Sequence, residues 1–233
     1  MPVITHNGVL VAGGSGALGA AVLHALLDAG HTVTSTWIVD AERDRIASAF
    51  PAADRLTLLN ADVTNPDDVD QVVAAVPDLG AVVNLVGGYD APGRVHETNP
   101  ADFERMLRLN LLPQFLLARA AIPRLISAGG GAFVAVSARA ALQPFPGAAG
   151  YITAKAGVLA FIQALDVEYR DDRIRCNAIL PGVIDTPANR HTNPDADFSR
   201  WVTPAGAADV IAYLISDRST AITGGAVPVA GRS

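Results

Sequence analysis

The sequence predicts an α/β fold in which one doubly wound, parallel sheet of about seven strands carries helices on both faces. Short, β-rich apolar segments alternate with longer helical segments along the 233 residues, which implies right-handed crossovers between parallel strands. A glycine-rich turn joins the first strand to the first helix, as in Rossmann-type sheets. Half of the residues are hydrophobic and 17% are charged, so the composition supports a sizeable core. No linker, repeat or low-complexity segment interrupts the pattern, and we expect a single domain over residues 1–233.

The first half of the chain contains four strand segments with three helical segments between them. Gly30 ends the first helix, Asp40 is the expected N-cap of the second, and Pro66 suits the first turn of the third. The predicted strands are residues 8–14, 31–37, 55–63 and 80–88, and the predicted helices are residues 16–30, 40–50 and 65–76.

The second half continues the alternation after a long helical stretch. Residues 100–128 are mostly helical, and Pro113 predicts that this helix is bent or broken. The remaining predicted strands are residues 131–138, 173–180 and 225–231, and the remaining predicted helices are residues 150–170 and about 204–216.

Composition and charge argue against several classes of function. The net charge is −6 with no basic cluster, which argues against nucleic acid as the main partner. Cys176 is the only cysteine, so we expect no internal disulfide and a reducing, cytoplasmic location. We expect no signal peptide, and no membrane span because no apolar window reaches about 18–20 residues. The five histidines are scattered, which predicts no metal site.

The glycine-rich turn "AGGSGALG" occupies residues 12–19. Its glycines permit a tight turn and let a pyrophosphate approach the backbone at the start of the helix. The spacing is nearer GxxxGxG than GxGxxG. Such a turn can also serve only to connect a strand to a helix, without binding a ligand. Its place at the first strand–helix junction favours nucleotide binding.

The end of the second strand indicates which dinucleotide is bound. Dinucleotide enzymes often place an acid there to bind the ribose 2′-hydroxyl, whereas this chain has Trp37, with Asp40 three residues later. A missing acid removes repulsion against a 2′-phosphate, so NADP(H) is favoured over NAD(H). Arg43 or Arg45 can supply positive charge, unless both lie on a solvated helix face. Trp37 either packs under adenine or belongs to the core.

Six motifs in order resemble the short-chain dehydrogenase/reductase family over nearly the whole chain. The glycine-rich turn is similar to the family's cofactor turn, Asp62-Val63 to its adenine-contacting pair, and "NLVGG" at 84–88 to its NNAG segment. Asn110 stands at the family's helix-bend asparagine, "YITAK" at 151–155 is similar to its YxxxK, and "NAILPGVIDTP" to its PGxxxT segment. Because single motifs of this kind are weak and six in order are strong, the chain is identified as a member of this family.

The resemblance implies the site residues. It implies Tyr151, Lys155, Asn110 and Ser137 as the catalytic set. Tyr89 either stacks on a flat substrate or is an ordinary surface tyrosine, and Ala138 stands where the family's substrate-polarising serine would be. The cofactor-binding residues implied by the resemblance are Gly13, Ser15, Gly16, Ala17, Leu18, Gly19, Trp37, Asp62, Val63, Asn84, Val86, Gly87, Tyr151, Lys155, Pro181, Gly182, Val183 and Thr186.

Within the family the chain most resembles the dihydropteridine reductases. The segments that carry this resemblance are "VGGY", "ARAALQPFPGAAGYITAK" and above all "LPGVIDTPANRHTNPDADFSRW", which is expected to lie over the substrate side of the nicotinamide. Residues 186–203 are expected to close over the substrate. The chain departs from this subgroup at Trp37, where those enzymes carry Asp, and at Asn110, which they lack.

Tyr151 and Lys155 are four residues apart, so they are neighbours on one face of a helix. A free phenol has a pKa of roughly 10, and lowering that pKa to about 7 takes roughly 4 kcal/mol. We expect the Lys155 ammonium, helped by an oxidised nicotinamide, to supply this stabilisation. Tyr151 then donates a proton as hydride arrives, or removes one in the reverse direction. The alternative is a tyrosine and a lysine on an ordinary amphipathic helix.

Ser137 stands one position too early for the family's catalytic serine. That serine usually lies thirteen residues before the tyrosine, where this chain has Ala138. Because neighbouring side chains on a strand point to opposite faces, we expect Ser137 to point away from the substrate unless the strand end is bulged. Losing one oxyanion donor costs about 10²–10³ in rate, which an already electrophilic acceptor tolerates better than a ketone. Asn110 either holds a water that links Lys155 to solvent or serves only as a helix-bend cap.

Three functions follow from these features. The leading hypothesis is an NAD(P)H-dependent oxidoreductase that transfers hydride to a small, activated, pteridine-like acceptor. The first alternative is a carbonyl or 3-oxoacyl reductase that recruits Ser137 through a bulge. The second is a non-catalytic dinucleotide-binding sensor, against which the Tyr151, Lys155 and Asn110 set argues. The resemblance also implies a homodimer or homotetramer formed through helices near 100–128 and 150–170.

Overall fold

Seven parallel strands form the centre of the computed structural model, which describes residues 6–51 and 54–231. They pair in the order β3-β2-β1-β4-β5-β6-β7, so the order reverses between β1 and β4. This is the doubly wound, Rossmann-type sheet that the sequence predicts. The strands are β1 Gly8–Ala12, β2 Thr32–Trp37, β3 Leu56–Asn60, β4 Leu79–Asn84, β5 Gly131–Val136, β6 Ile174–Pro181 and β7 Ala226–Val229.

Helices cover both faces of the sheet, as expected. The core on one face contains apolar side chains from the third, fifth and sixth helices, and the core on the other face contains those of the first and eighth. Strand residues alternate between the two cores, as Val82 and Val83 do. The helices are α1 Ala17–Asp28, α2 Asp40–Ala49, α3 Pro66–Ala75, α4 Pro100–Asn110, α5 Leu112–Ser127, α6 Ala149–Tyr169, α7 Pro187–Thr192 and α8 Pro204–Ile215.

Two helix boundaries refine the sequence predictions. The expected N-cap Asp40 is instead the first residue of α2, and Val39 occupies the cap position. The Glu42 carboxylate accepts the Ile38 N–H at 3.0 Å, so a side chain of the first turn binds back to the residue that precedes the cap, and Asp40 does not serve as the cap. The helical stretch 100–128 is broken as predicted: α4 ends at Asn110, and Pro113 lies in the first turn of α5.

No helix in the described part of the chain combines the length and the apolar character that crossing a bilayer requires. The short helix α7, which the sequence pattern did not predict, lies in the segment after β6. Because β6 and the strands beside it are parallel, the segments after β1, β4, β5 and β6 all leave the sheet at its carboxyl edge. The predicted site residues come mainly from these segments.

Candidate active site

The turn after β1 has the backbone geometry that close approach by a ligand requires. Gly13 has a φ of +86°, a conformation that favours glycine, and its N–H donates to Thr36 Oγ1 at 3.2 Å. Gly16 is the N-cap of α1, so Ala17, Leu18 and Gly19 begin the helix and their N–H groups point back towards the turn. This arrangement provides an anion site at the helix N-terminus, next to the point where the strand order reverses.

Two arginines from α2 lie beside this turn. The Arg43 guanidinium stands 5.3 Å from the centroid of the half-buried Trp37 ring, at the end of β2. Arg45 donates from Nη1 to the main-chain carbonyl of Ser15 at 3.1 Å. Positive charge therefore lies beside the end of β2, together with the carboxylate of Glu42, which accepts the N–H of Ile38 at 3.0 Å.

Asn110 fixes the segment that follows β4. Its Oδ1 accepts the N–H of Gly88 at 3.1 Å, and its Nδ2 donates to the Gly88 carbonyl at 3.1 Å. A Cβ added to Gly87 would stand 2.6 Å from Asn110 Oδ1 and 3.0 Å from Lys155 Nζ, so only glycine allows this approach. Asn84, at the end of β4, accepts the N–H of Val86 at 3.0 Å. The segment after β4 therefore packs against Lys155 and Asn110 at Gly87 and Gly88.

Tyr151 and Lys155 lie one turn apart near the start of α6, as the spacing predicts. Lys155 Nζ is 5.9 Å from the centroid of the Tyr151 ring and donates to the Val136 carbonyl at 3.0 Å. The lysine is buried, whereas the tyrosine keeps partial exposure. The pair therefore sits at the carboxyl edge of β5 with the phenol on the open side.

The surroundings of Tyr151 and Lys155 shift the pKa values of both side chains, and the shift at Tyr151 differs from the one expected. Burial, with a smaller contribution from Tyr89, raises the pKa of Tyr151 to about 12. Burial lowers the pKa of Lys155 to about 8. In the protein without a cofactor, the expected lowering of the Tyr151 pKa by Lys155 is absent, because burial is the main cause of the shift and raises the pKa. At neutral pH the phenol is protonated and ready to donate.

Ser137 makes a hydrogen bond within the protein. Its Oγ donates to the main-chain carbonyl of Lys155 at 2.7 Å, and the residue is 1% exposed. Ala138 follows with an extended backbone and no polar side-chain atom. This geometry agrees with the expectation from strand alternation that Ser137 points away from the substrate side.

Aromatic side chains border the Tyr151 ring. Tyr89 packs edge-on against it with 5.1 Å between ring centroids, and is 59% exposed. Phe145, which the sequence analysis missed, lies 6.5 Å from Tyr89 and is also exposed. Phe145 belongs to the quoted segment 138–155, but it lies in an irregular loop between β5 and α6, so no periodicity indicated its role. Together these rings form an open, flat-sided apolar rim beside the phenol.

The segment after β6 holds the last group of predicted residues. The N–H of Gly182 donates to Val229 at 3.0 Å, and the half-exposed Val183 accepts from Val202 at 2.9 Å. Thr186 caps α7 by accepting the N–H of Asn189 at 3.1 Å. These contacts fix the start of the segment expected to cover the substrate.

Further along the same segment, the Arg190 guanidinium binds Asp185 and lies 4.7 Å from the centroid of the Phe198 ring. Phe198 in turn packs against Trp201, with 4.8 Å between ring centroids. No sequence pattern indicated a role for Arg190, Phe198 or Trp201, because the segment after β6 has no regular periodicity.

The other predicted residues take the following places. Asp62 accepts the N–H of Thr64 at 2.8 Å after β3, and Val63 is buried in the core, so its side chain is not open to a ligand. Pro181 ends β6. Within residues 6–51 and 54–231, no group of three or more His, Cys, Asp or Glu side chains is placed to hold a metal ion.

Comparisons with known proteins agree with this geometry. A family model described as enoyl-(acyl carrier protein) reductase matches residues 12–231. The 2-(R)-hydroxypropyl-CoM dehydrogenase of Xanthobacter autotrophicus is 31% identical over 195 residues, covering 77% of this chain and 78% of that protein. The 3-alpha-(or 20-beta)-hydroxysteroid dehydrogenase of Mycobacterium tuberculosis is 29% identical over 229 residues, covering 95% and 87%. The solved structure of ElxO with NADP bound is 24% identical with a TM-score of 0.88, over 95% of this chain and 96% of that one, which shows the shared fold.

Proposed function

The chain belongs to the short-chain dehydrogenase/reductase family and is an NAD(P)-dependent oxidoreductase, and from this premise we propose that it reduces a flat, already electrophilic acceptor with Tyr151 as the proton donor. A quinonoid dihydropterin is an acceptor of this class. The observation that carries the proposal is the hydrogen bond from Ser137 to the Lys155 carbonyl, because it directs the serine hydroxyl into the protein. The position of the polarising hydroxyl is then occupied by Ala138, which has no donor.

The glycine turn and the Lys155 amine fit a nicotinamide dinucleotide. Gly13, Gly16 and the first turn of α1 would hold the pyrophosphate, because their backbone permits close approach of an anion. Lys155 Nζ, beside Gly87, would bind the ribose hydroxyls. When bound, the reduced cofactor supplies the hydride.

We further propose that NADP(H) is preferred over NAD(H). Trp37 and the exposed Ile38 and Val39 follow the end of β2, and the Glu42 carboxylate beside them is already bonded to the Ile38 N–H. Arg43 pairs with Asp40 at 3.3 Å and Asp44 at 2.9 Å, and these exposed ion pairs are weak enough for a 2′-phosphate to compete with them.

The acid–base groups suit proton donation to an acceptor near neutral pH. With a pKa of about 12 in the protein without a cofactor, Tyr151 holds its proton and can deliver it to the acceptor atom. Lys155, with a pKa of about 8, can exchange protons near the working pH and resupply the phenol.

The rim beside Tyr151 supports a flat acceptor. Tyr89 and Phe145 present exposed aromatic faces on which a conjugated ring can stack. Because Ala138 offers no donor, the acceptor has to be electrophilic without strong polarisation of a carbonyl.

A second candidate is the oxidoreduction of secondary alcohols and ketones. The relatives described above are named as dehydrogenases of hydroxy compounds, and neither is named for a pteridine. This function would require Ser137 to leave the Lys155 carbonyl or a substrate that reacts without the serine.

One assay separates the candidates. The purified protein is mixed with NADPH or NADH and with a quinonoid dihydropterin, a benzoquinone or a simple cyclic ketone, and cofactor oxidation is followed by absorbance. Turnover of the conjugated acceptors with little turnover of the ketone supports the main proposal. Ketone turnover at a matching rate, lost in Ser137→Ala, supports the second candidate and contradicts the first.

We also propose that the chain forms a homo-oligomer through α5 and α6. Phe115 on α5 is 51% exposed and lies 6.4 Å from Phe161 on α6, measured between ring centroids. An aromatic pair on an outer helix face is typical of a buried interface between copies.

A further inference from the structure

Gln114 is a fully buried amide whose side chain has no hydrogen-bond partner among the described residues. Its exposure is 0%, and neither Oε1 nor Nε2 is bonded. Asn84 is also 0% exposed, and its Nδ2 likewise has no hydrogen-bond partner among the described residues. Buried polar atoms cost free energy unless they are bonded to protein or to ordered water, so these three atoms need an explanation.

The fold places Gln114 over the sheet face on which Asn84 lies. Gln114 lies on the same helical stripe of α5 as Leu117 and Ala121, and these two belong to the core on that face of the sheet. Asn84 shares the same face of β4 with Val82, another member of that core. In the crossover between the parallel strands β4 and β5, α5 returns from the carboxyl edge of the sheet to the start of β5, so its first turn, with Gln114, lies towards the carboxyl end of β4.

The neighbours of Asn84 on this face are small. In register with it stand Ala12 on β1 and Ala135 on β5. Two alanines beside a polar strand end leave room above the sheet, and three amide atoms provide the two to four partners that an internal water requires.

Asn84 is the first link in a chain of contacts to the reacting groups. Its Oδ1 fixes the N–H of Val86, and the following Gly87 lies against Lys155 Nζ and Asn110 Oδ1. The Asn84 side chain therefore helps set the path of the segment that meets the lysine.

We propose that Gln114 is a positioning residue: together with Asn84 it binds an internal water that fixes residues 84–88, and through them the Lys155 amine. The inference rests on the proposed role of Tyr151 and Lys155. Gln114 does not touch the substrate, and its effect reaches the phenol through the lysine.

The test uses Gln114→Met, which keeps the volume and removes both polar atoms, and Leu117→Met as a matched control one turn along the same stripe. In Gln114→Met we expect kcat to fall about tenfold, because a loosened segment misplaces Lys155. We expect the KM for the acceptor to change by less than about twofold and the alkaline limb of the pH–rate profile to move. The melting temperature should fall by a few degrees relative to Leu117→Met, because Asn84 Nδ2 loses the water that it shares with Gln114.

Gln114→Glu provides the rescue, since a protonated carboxyl is close in shape to the amide. Burial raises a carboxyl pKa, so its rate relative to the wild type should fall as the pH rises. Unchanged kcat and pH profile in Gln114→Met would overturn the proposal, as would a crystal structure showing Asn84 and Gln114 without a shared water. That crystal structure requires no turnover, so a wrong assignment of the reaction and a wrong role for Gln114 give different results.

Discussion

The Ser137 hydroxyl donates to the main-chain carbonyl of Lys155 at 2.7 Å, and so ties the end of β5 to the helix that carries both acid–base groups. The bond is buried, and the carbonyl belongs to the residue whose amine meets Gly87. The serine therefore helps to fix the main chain of Lys155.

Replacing this serine should cost stability more than activity. In Ser137→Ala we expect a loss of about 0.5–1.5 kcal/mol in the free energy of unfolding, because one buried hydrogen bond is lost while the Lys155 carbonyl keeps its helical bond within α6. Turnover of a conjugated acceptor should change by less than about tenfold. Urea unfolding and steady-state kinetics measure both. Loss of turnover on every acceptor in a folded variant would show that Ser137 acts on the substrate.

The complementary change adds the missing hydroxyl. Ala138→Ser places a donor thirteen residues before Tyr151, and we expect it to raise turnover of a simple ketone by about tenfold or more. Activity on the conjugated acceptor should change little, which provides the internal control. If ketone turnover does not rise in a folded Ala138→Ser variant, the position does not face the substrate.

Removing the phenol should abolish most of the chemistry. Tyr151→Phe keeps the ring against Tyr89 but has no proton to donate, so we expect kcat to fall by about 10²–10⁴. Cofactor affinity, measured by calorimetry, should stay within about threefold of the wild type. Equal kcat in the variant and the wild type would remove Tyr151 from the mechanism.

The buried Lys155 predicts a pH dependence of stability. Its folded pKa of about 8 lies below its ordinary value of 10.5, so the unfolded chain binds more protons between these limits. The free energy of unfolding should therefore rise with pH in this window, by about 2 kcal/mol between pH 8 and pH 9.5, relative to Lys155→Met. Urea unfolding of both proteins across this range measures the difference. Parallel profiles would mean that the lysine is not desolvated.

Arg43 should discriminate between the two cofactors. In Arg43→Ala we expect the KM for NADPH to rise about tenfold, because a charge-assisted contact with the 2′-phosphate is lost, while the KM for NADH stays unchanged. Arg119→Ala is the control, since that arginine pairs with Asp70 on the surface between α3 and α5. An equal change for NADPH and NADH would place the 2′-phosphate elsewhere.

Phe115 should hold two copies of the chain together. We expect Phe115→Glu to shift the mass measured by light scattering towards the monomer, because a charge would be buried in the interface. Val95→Glu is the control, since Val95 is 74% exposed and lies outside both helices. A wild-type protein that is already monomeric at micromolar concentration would contradict the proposal.

The sequence predicts the fold well because its signals are local. The alternation of strands and helices, the glycine turn and the break near Pro113 each depend on a few neighbouring residues, and the structure confirms them. The direction of Ser137 followed from the two-residue period of a strand and agrees with its bond to Lys155.

Properties that depend on distant elements were not predictable from the pattern. In the protein without a cofactor, the pKa of Tyr151 is raised mainly by burial, which the four-residue spacing to Lys155 does not indicate. Phe145 and Arg190 belong to segments without periodicity, so only the folded chain shows which aromatic rings they lie near. Gln114 looked like an ordinary helix residue until its burial was known.

Asn110, in the last turn of α4, forms hydrogen bonds with both the N–H and the carbonyl of Gly88. A single side chain at the break between α4 and α5 therefore holds the main chain of the segment after β4. Replacing Asn110 would release both bonds at once, so the path of residues 84–88 depends on a residue that lies more than twenty positions further along the chain.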